Sequence, residues 1–200
     1  SSGQNPSVTG STTLKHSLAP TLMLAMPELD GSWFGRTVIL LLKHDETGSF
    51  GLVINRPFRM IDCEQVLSLL DIPEPLVNPG LLHGGPVTPE QALVLHRQPD
   101  LGADSEEVLK GLFVASHRDS LDRLCRESED TFWVVMGYSG WSPGQLEDEI
   151  EMGSWFVVPS AHLGERVLSG AREVLWSELA ASIGLNPDVL PRTGTSDLVQ

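Results

Sequence analysis

Two apolar runs joined by a short polar break, RTVILLLKHDETGSFGLVINRP from Arg36 to Pro57, constrain this chain more than any other stretch. Side chains alternate along an extended strand, so Val38, Leu40 and Leu42 share one face of the first run while Ile39 and Leu41 share the other. Both faces are apolar, which predicts a strand covered on two sides rather than an edge strand with one wet face. In the second run Phe50, Leu52 and Ile54 lie together, and Asn55-Arg56-Pro57 ends it because proline removes a ladder donor. Asp45-Glu46-Thr47-Gly48-Ser49 has turn chemistry, with Gly48 free to take a positive φ. The expectation is a buried β-hairpin around which the rest of the chain packs.

A chain of this length can bury about 70% of its unfolded surface, enough for one substantial core. Hydrophobic residues make up 40% and charged residues 20%, the balance of an ordinary soluble globular protein. No apolar run approaches the ~20 residues of a membrane helix, and the start lacks the basic-plus-apolar pattern of a signal peptide. A cytoplasmic protein without a membrane partner is expected. Lys plus Arg number 13 against 27 Asp plus Glu, a net charge of −14. That field repels phosphate backbones, so specific nucleic-acid binding is not expected. Cys63 and Cys125 lie far apart and outside any C-x-x-C, which fits small core residues better than a disulfide framework or a zinc knuckle.

Residues 1–13 are rich in Ser, Thr and Gly and carry too little apolar surface to offset the entropy of ordering, so a disordered arm is expected. A first strand is expected within Leu18 to Met26, with Trp33 and Phe34 supplying large apolar surface before the hairpin. Asp62 is read as the cap of a helix from Cys63 to Leu70, whose Val66, Leu69 and Leu70 share a face and which Pro73 and Pro75 stop. Gly84-Gly85-Pro86 reads as a tight turn, Gln91 to His96 and Leu112 to Ala115 as strands, and Pro99 to Glu107 as loop. Ser116 is expected to cap a helix reaching about Glu127. Thr131 to Met136 is a second strongly apolar strand, and Gly137-Tyr138-Ser139-Gly140 reads as a turn into a helix. A strand from Trp155 to Val158, a short helix from Ala161 to Leu168 and a longer one from Ala171 to Ile183 follow, with Gly184-Leu185 in a Schellman pattern. Without an internal repeat or a dividing linker, a single α+β domain over residues 14–190 is expected, followed by a frayed tail over 191–200.

The helix after Gly140 has the clearest local grammar. Ser142 stands at the N-cap, Pro143 at N1 and Gln145 at N3 of a capping box, with Trp141 and Leu146 in the staple positions N′ and N4. Trp141 is therefore expected to hold structure rather than to recognise a partner. Leu146 and Ile150 form the apolar seam of this helix, flanked by Glu147 and Glu149. Glu149 falls at the core boundary, where a lone carboxylate needs an arginine or backbone donors.

A series of motifs occurs in one order: Met26-Pro27, Phe34-x-Arg36-Thr37-Val38, His44, Gly48-x-x-Gly51-x-x-x-Asn55-Arg56-Pro57, Gly84-Gly85-Pro86-Val87, Leu95-His96, and Gly137-Tyr138-Ser139-Gly140-Trp141-x-x-Gly144-Gln145-Leu146-Glu147-x-Glu149-Ile150. Over about Leu18 to Leu185 this series resembles the YqgE/AlgH family of bacterial proteins. The resemblance implies a mixed, bifurcated, partly barrel-like β-sheet surrounded by helices, in a cytosolic protein. It also implies a regulator, transcriptional or otherwise, since the family is named in part for a role in alginate production. Ser139 departs from the family pattern, which usually has alanine there.

Gly137-Tyr138-Ser139-Gly140 between a strand and a helix is the context of a hydrolase nucleophile elbow, but position 141 is Trp where G-x-S-x-G needs glycine. A turn serine is the expected role, and no catalytic residue is assigned. His44-Asp45-Glu46, His83 and His96 are ligand types without ligand spacing, so neither a metal nor another cofactor is expected. Arg36 and Arg56 fall at the open end of the hairpin, while His44 lies near its turn, about 25 Å along the strand. They cannot be one site. The arginines are expected to meet Glu147 or Glu149 in a structural ion pair; otherwise they could face a ligand carboxylate or phosphate. The candidate ligand-binding set is Arg36, Asn55, Arg56, Glu147 and Glu149. The functional expectation is a non-enzymatic regulatory or adaptor protein working through contacts with a protein partner. The alternative is a small anionic-ligand-binding domain, with an uncharacterised hydrolase behind it. An exposed apolar surface beside an acidic helix favours the adaptor, a deep pocket with convergent Arg, His and Asn favours the ligand, and a perturbed carboxylate or histidine in such a pocket favours catalysis.

Overall fold

Strand β1 (Thr21–Ala25) runs antiparallel to β2 (Val38–Asp45), which turns through Glu46-Thr47 into β3 (Gly48–Val53). In this computed structural model, which describes residues 17–71 and 79–185, the hairpin read from the sequence is present and buried on both faces. Leu40 and Leu52 face one core while Ile39, Leu41 and Val53 face another, because a period-2 apolar pattern with both phases filled needs two cores. Asp45 accepts a hydrogen bond from the Thr47 amide at 2.8 Å, and Gly48 takes φ 125°. The expected arm over 1–13, the stops at Pro73 and Pro75 and the tail from 191 lie outside the described residues.

Next come α1 (Met60–Leu69), β4 (Gly80–His83), β5 (Val87–His96), β6 (Glu106–Leu109), β7 (Leu112–Ala115) and α2 (Arg118–Glu127). The chain continues through β8 (Trp133–Trp141), α3 (Gln145–Glu151), β9 (Trp155–Val158), α4 (Gly164–Leu168) and, after a 3-10 turn at Arg172–Val174, α5 (Leu175–Ser182). The strands form a single curled sheet in the order β6-β7-β5-β8-β3-β2-β1-β9, with β4 paired to β8 off that path. This mixed half-barrel in a single α+β domain is the architecture that the resemblance implies.

Both halves of the sheet share β8. Its first half lies between β4, which is parallel to it, and β5, which is antiparallel; its second half pairs with β3 through Gly51↔Ser139, Phe50↔Gly140 and Ser49↔Trp141. Gly137-Tyr138-Ser139-Gly140, expected to turn the chain into a helix, is therefore strand. Gly137 takes φ 75° and bends the ladder without ending it. The cause is a close approach of backbones that no Cβ would permit. A Cβ at Gly137 would fall 2.5 Å from the Gly85 carbonyl oxygen, one at Gly84 would overlap the Gly137 carbonyl, and one at Gly85 would overlap the Tyr138 backbone. The Gly84 amide donates to Met136 O at 2.7 Å and the Gly84 carbonyl accepts from the Val53 amide at 2.9 Å. Gly84 thereby links β8 to β3 where the sheet forks, and Gly84-Gly85-Pro86 serves close approach as well as turning.

Several ends differ from the sequence reading, each for a local reason. Helix α1 starts at Met60, and Asp62 lies in its first turn paired with Arg59 at 2.9 Å instead of capping it. Strand β6 occupies the end of the expected loop, held by β7 rather than by strand-favouring residues. Helix α2 starts at Arg118 with His117 at the N-cap and no side-chain cap, one residue later than Ser116 was expected to set it; Asp104 braces the turn before it, accepting from Ser116 N at 3.1 Å and His117 N at 2.8 Å. Helix α3 starts at Gln145, because Gly144 takes φ 78°; Gln145 still accepts from the Ser142 amide at 3.0 Å, the return half of the capping box. The long helix expected from Ala171 is split into the 3-10 turn and α5, but its Schellman end is present, with Leu185 N donating to Ala180 O at 2.9 Å and Gly184 N to Ala181 O at 3.1 Å.

Alanine at Gly85 or Gly137 meets both a backbone clash and a φ that L residues rarely adopt, and each substitution is expected to lower stability by about 2–4 kcal/mol. Gly140→Ala, whose nearest neighbour would be 3.9 Å away, is expected to change it by less than about 0.5 kcal/mol. Urea unfolding of the purified variants checks this; equal midpoints for Gly137→Ala and Gly140→Ala contradict it.

Candidate functional site

The open end of the β2–β3 hairpin gathers Arg36, Asn55 and Arg56. Asn55 Oδ1 accepts from the Val38 amide and its Nδ2 donates to Arg36 O, both at 2.9 Å, so the side chain clasps the two strands. Arg56 Nη2 donates to Gly35 O at 2.5 Å, and its guanidinium lies 5.7 Å from the centre of the Trp33 ring. Arg36 lies 4.2 Å over Trp176 with its Nε 3.6 Å from Asp30. Trp176 is itself buried and donates its indole N–H to Ala25 O at 3.0 Å. Each cation thus already has an indole face and an oxygen partner.

Glu147 and Glu149 lie elsewhere. The first turn of α3 packs beside the closed end of the hairpin, so Glu147 meets His44, and the expected ion pair with Arg36 or Arg56 does not form for either glutamate. His44 is buried; its Nδ1 accepts from the Leu18 amide at 2.9 Å, which leaves the proton on Nε2 to donate to Glu147. With both ring nitrogens engaged, His44 has no free lone pair for base chemistry. Glu149 does lie at the core boundary, but its neighbours are Trp155, Gln145 and Trp141 rather than an arginine. Burial raises its carboxyl above the ordinary 4.5, against the pull of those neighbours. Glu149 Oε2 and Trp155 Nε1 are both buried and fall short of hydrogen-bond geometry.

Trp141 is 6% exposed, packs edge-on against Trp155 at 5.8 Å and shares a core with Leu146, the staple partner read from the sequence. Ser139 is fully buried in β8 and donates its hydroxyl to Gly84 O at 3.1 Å, so it is a strand serine and not the turn serine expected. His96 bonds Ser105 Oγ at 2.7 Å through Nε2 and the Gln98 amide at 3.1 Å through Nδ1; burial pulls its pKa down to about 4. Among the described residues no three His, Cys, Asp or Glu converge as a metal site would require.

An open apolar groove of about 520 Å³ runs between α1 and the β4–β5 connection. Phe58, Val66, Leu70 and Met136 line it, His83 stacks on Phe58 with ring centres 3.6 Å apart, and Leu69 stands 80% exposed at its lip. Burial pulls the His83 pKa below its ordinary value. The helical face of Val66, Leu69 and Leu70 was legible in the sequence. That the described residues leave part of it uncovered was not, because periodicity shows which residues share a face and not what lies opposite.

A forked half-barrel in a single α+β domain, with His44 and His96 tied into the fold and an open apolar groove beside α1, defines the class of protein. Residues 22–188 match the AlgH-like family model, and the chain belongs to that family. A UPF0301 protein of Shewanella oneidensis is 38% identical over 175 residues, 84% of this chain and 92% of the relative. One from Chlorobaculum parvum is 37% identical over 171 residues, 83% and 87% of the two chains. The solution structure of the AlgH protein from Pseudomonas aeruginosa superposes with a TM-score of 0.64 at 27% identity, covering 95% of this chain and 96% of that one. A crystal structure from Corynebacterium diphtheriae shares the fold, with a TM-score of 0.60 at 23% identity over 86% and 90% of the chains.

Truncating buried Trp141 to alanine is expected to cost about 3–5 kcal/mol; an unchanged urea midpoint contradicts its structural role. The pH dependence of stability carries two opposite signatures. Folded His96 binds fewer protons than the unfolded residue, so its contribution is complete above about 6.5 and is lost as pH falls toward 4. Folded Glu149 binds more, so stability falls as pH rises from 4.5 through its raised value. Glu149→Gln is expected to remove the second slope and leave the first, as read by urea midpoints across pH; an unaltered profile contradicts this assignment.

Proposed function

We propose that this chain is a non-enzymatic adaptor or regulatory protein that works by contact with another protein through the groove beside α1. The observation that carries this reading is Leu69, 80% exposed at the lip of an apolar groove of about 520 Å³. Such surface is unfavourable in water and is relieved when a partner covers it. The occupant that fits is an amphipathic segment with apolar anchors and a basic flank, the helix-in-groove mode of recognition. Glu90 on the groove wall has no ion-pair partner among the described residues, and the net charge of −14 draws a basic segment in. The reactive groups support the same reading, since His44 and His96 are bonded at both nitrogens and burial raises the Cys63 thiol.

A second reading is a small anion held by Arg36 and Arg56. It is supported by two arginines at the open end of the hairpin, Arg36 over Trp176 and Arg56 over Trp33, which is 43% exposed. Their existing oxygen partners place it second.

A photo-crosslinking residue at position 69, in cells of the native host, is expected to capture a discrete protein that the same residue at position 151 does not. The captured protein, once purified, should bind the wild type at least tenfold more tightly than Leu69→Asp, a difference of about 1.4 kcal/mol or more, with the urea midpoint unchanged. Loss of binding in Arg56→Gln but not in Leu69→Asp transfers the site to the open end of the hairpin. Binding indifferent to both substitutions contradicts both readings.

A further inference from the structure

The curl of the sheet creates a second concavity, which shares no lining residue with the groove and is argued independently of it. Its floor is apolar: Leu42 of β2, Phe50 of β3, Leu93 of β5, Val108 of β6 and Val114 of β7. Its rim carries the carboxylates of Asp104, Glu106 and Glu107, with no lysine, arginine or histidine among the residues that line it. The volume is about 370 Å³, within the range of small-molecule pockets, and the mouth of a barrel-like sheet is a place where such pockets recur.

Three of the strands that build this trough slip their register at the wall itself. The β2–β3 ladder shifts between Leu41 and Lys43, which leaves Leu42 out of the pairing and on the floor. The β5–β8 ladder shifts between Val87 and Ala92, a span that includes the lining residue Gln91. The β6–β7 ladder shifts between Glu107 and Leu109, leaving out Val108. A bulge interrupts a ladder and redirects a side chain, and bulges gather beside binding sites. Here the redirected residues converge on one concavity.

We propose that this trough is a binding site for an organic ammonium group carried on a hydrocarbon stem. The stem covers the floor, and the ammonium sits among the rim carboxylates. The choice follows from charge complementarity. Asp104 is a fixed negative charge: burial pushes its carboxyl up, but the hydrogen bonds from His117, Ser120 and Ser116 outweigh that and hold it below the ordinary carboxylate range. Glu106 and Glu107 make no salt bridge among the described residues, so two further charges await a counter-ion. Lys43, next to Leu42 in the chain, is paired with Asp45 at 3.6 Å. The Phe50 ring, held against Tyr138 at 4.6 Å, offers an aromatic face of the kind that attracts organic cations. A bare metal ion would gain nothing from the apolar floor, and an anion would meet three carboxylates.

The test is a titration of the full chain with hexylammonium, followed by amide chemical shifts, with heptanoate and hexanol as controls of equal stem. Expected are shifts centred on Leu42, Phe50, Val108 and Val114, weakened by salt, and none of comparable size with either control. The double variant Glu106→Gln, Glu107→Gln should weaken hexylammonium at least tenfold, while Leu69→Asp leaves it unchanged. A parallel arm uses a short peptide with a single lysine. Tighter binding of the free amine assigns the ammonium to a metabolite, and tighter binding of the peptide assigns it to the lysine of a protein; both support the site. Equal binding of hexanol, indifference to the double variant, or no shifts in the trough overturns it.

Discussion

The structure depends on backbone meeting backbone where the sheet forks. Strand β8 serves two neighbours in succession along one edge, β4 and then β3, and it can change partner only where the chains come closer than a Cβ allows. Gly84, Gly85 and Gly137 provide that closeness. The hydrogen bonds of Gly84 to Met136 and Val53 keep the polar backbone satisfied at the crossing, where an unpaired buried amide would cost about 1–3 kcal/mol. At this fork the two halves of the curled sheet are joined.

Most polar side chains that invite a chemical reading are engaged by the fold. His44 joins the Leu18 amide to Glu147 and so ties the chain before β1 to α3. Asn55 closes the hairpin, and Arg172, buried, donates to Ile54 O at 3.1 Å, Val167 O at 2.5 Å and Ser169 O at 2.7 Å while lying over Trp133. Burial holds the Arg172 guanidinium below its ordinary pKa, with no carboxylate within salt-bridge distance among the described residues. What the fold leaves open is surface, apolar beside α1 and acid-rimmed at the half-barrel mouth.

The parts legible in the sequence are those whose cause is local. Alternation with both phases apolar announces the buried hairpin, and Gly184-Leu185 announces the end of α5. The misread parts have distant causes. Gly137 looks like a turn because glycine permits one, yet its role is set by Gly85, far away in sequence. Ser116 looks like a cap, but Asp104, twelve residues earlier in the chain, holds the Ser116 and His117 amides in the turn, and the helix starts one residue later. Opposite charge suggests that Glu147 or Glu149 meets an arginine, but charge does not say which end of the hairpin α3 packs on; the first turn lies at the closed end, where His44 waits. The trough is invisible in the sequence because its floor comes from five strands and its signature is a register slip in three of them.

Native-state hydrogen exchange at the Gly84 and Val53 amides tests the central role of the fork most directly. If β8 locks both halves of the sheet through this crossing, the two amides exchange only by global unfolding, with the same denaturant dependence as the slowest amides on either side. Exchange of Gly84 by local opening, with one half of the sheet still protected and the other released, would show that the halves are held separately and contradict the account.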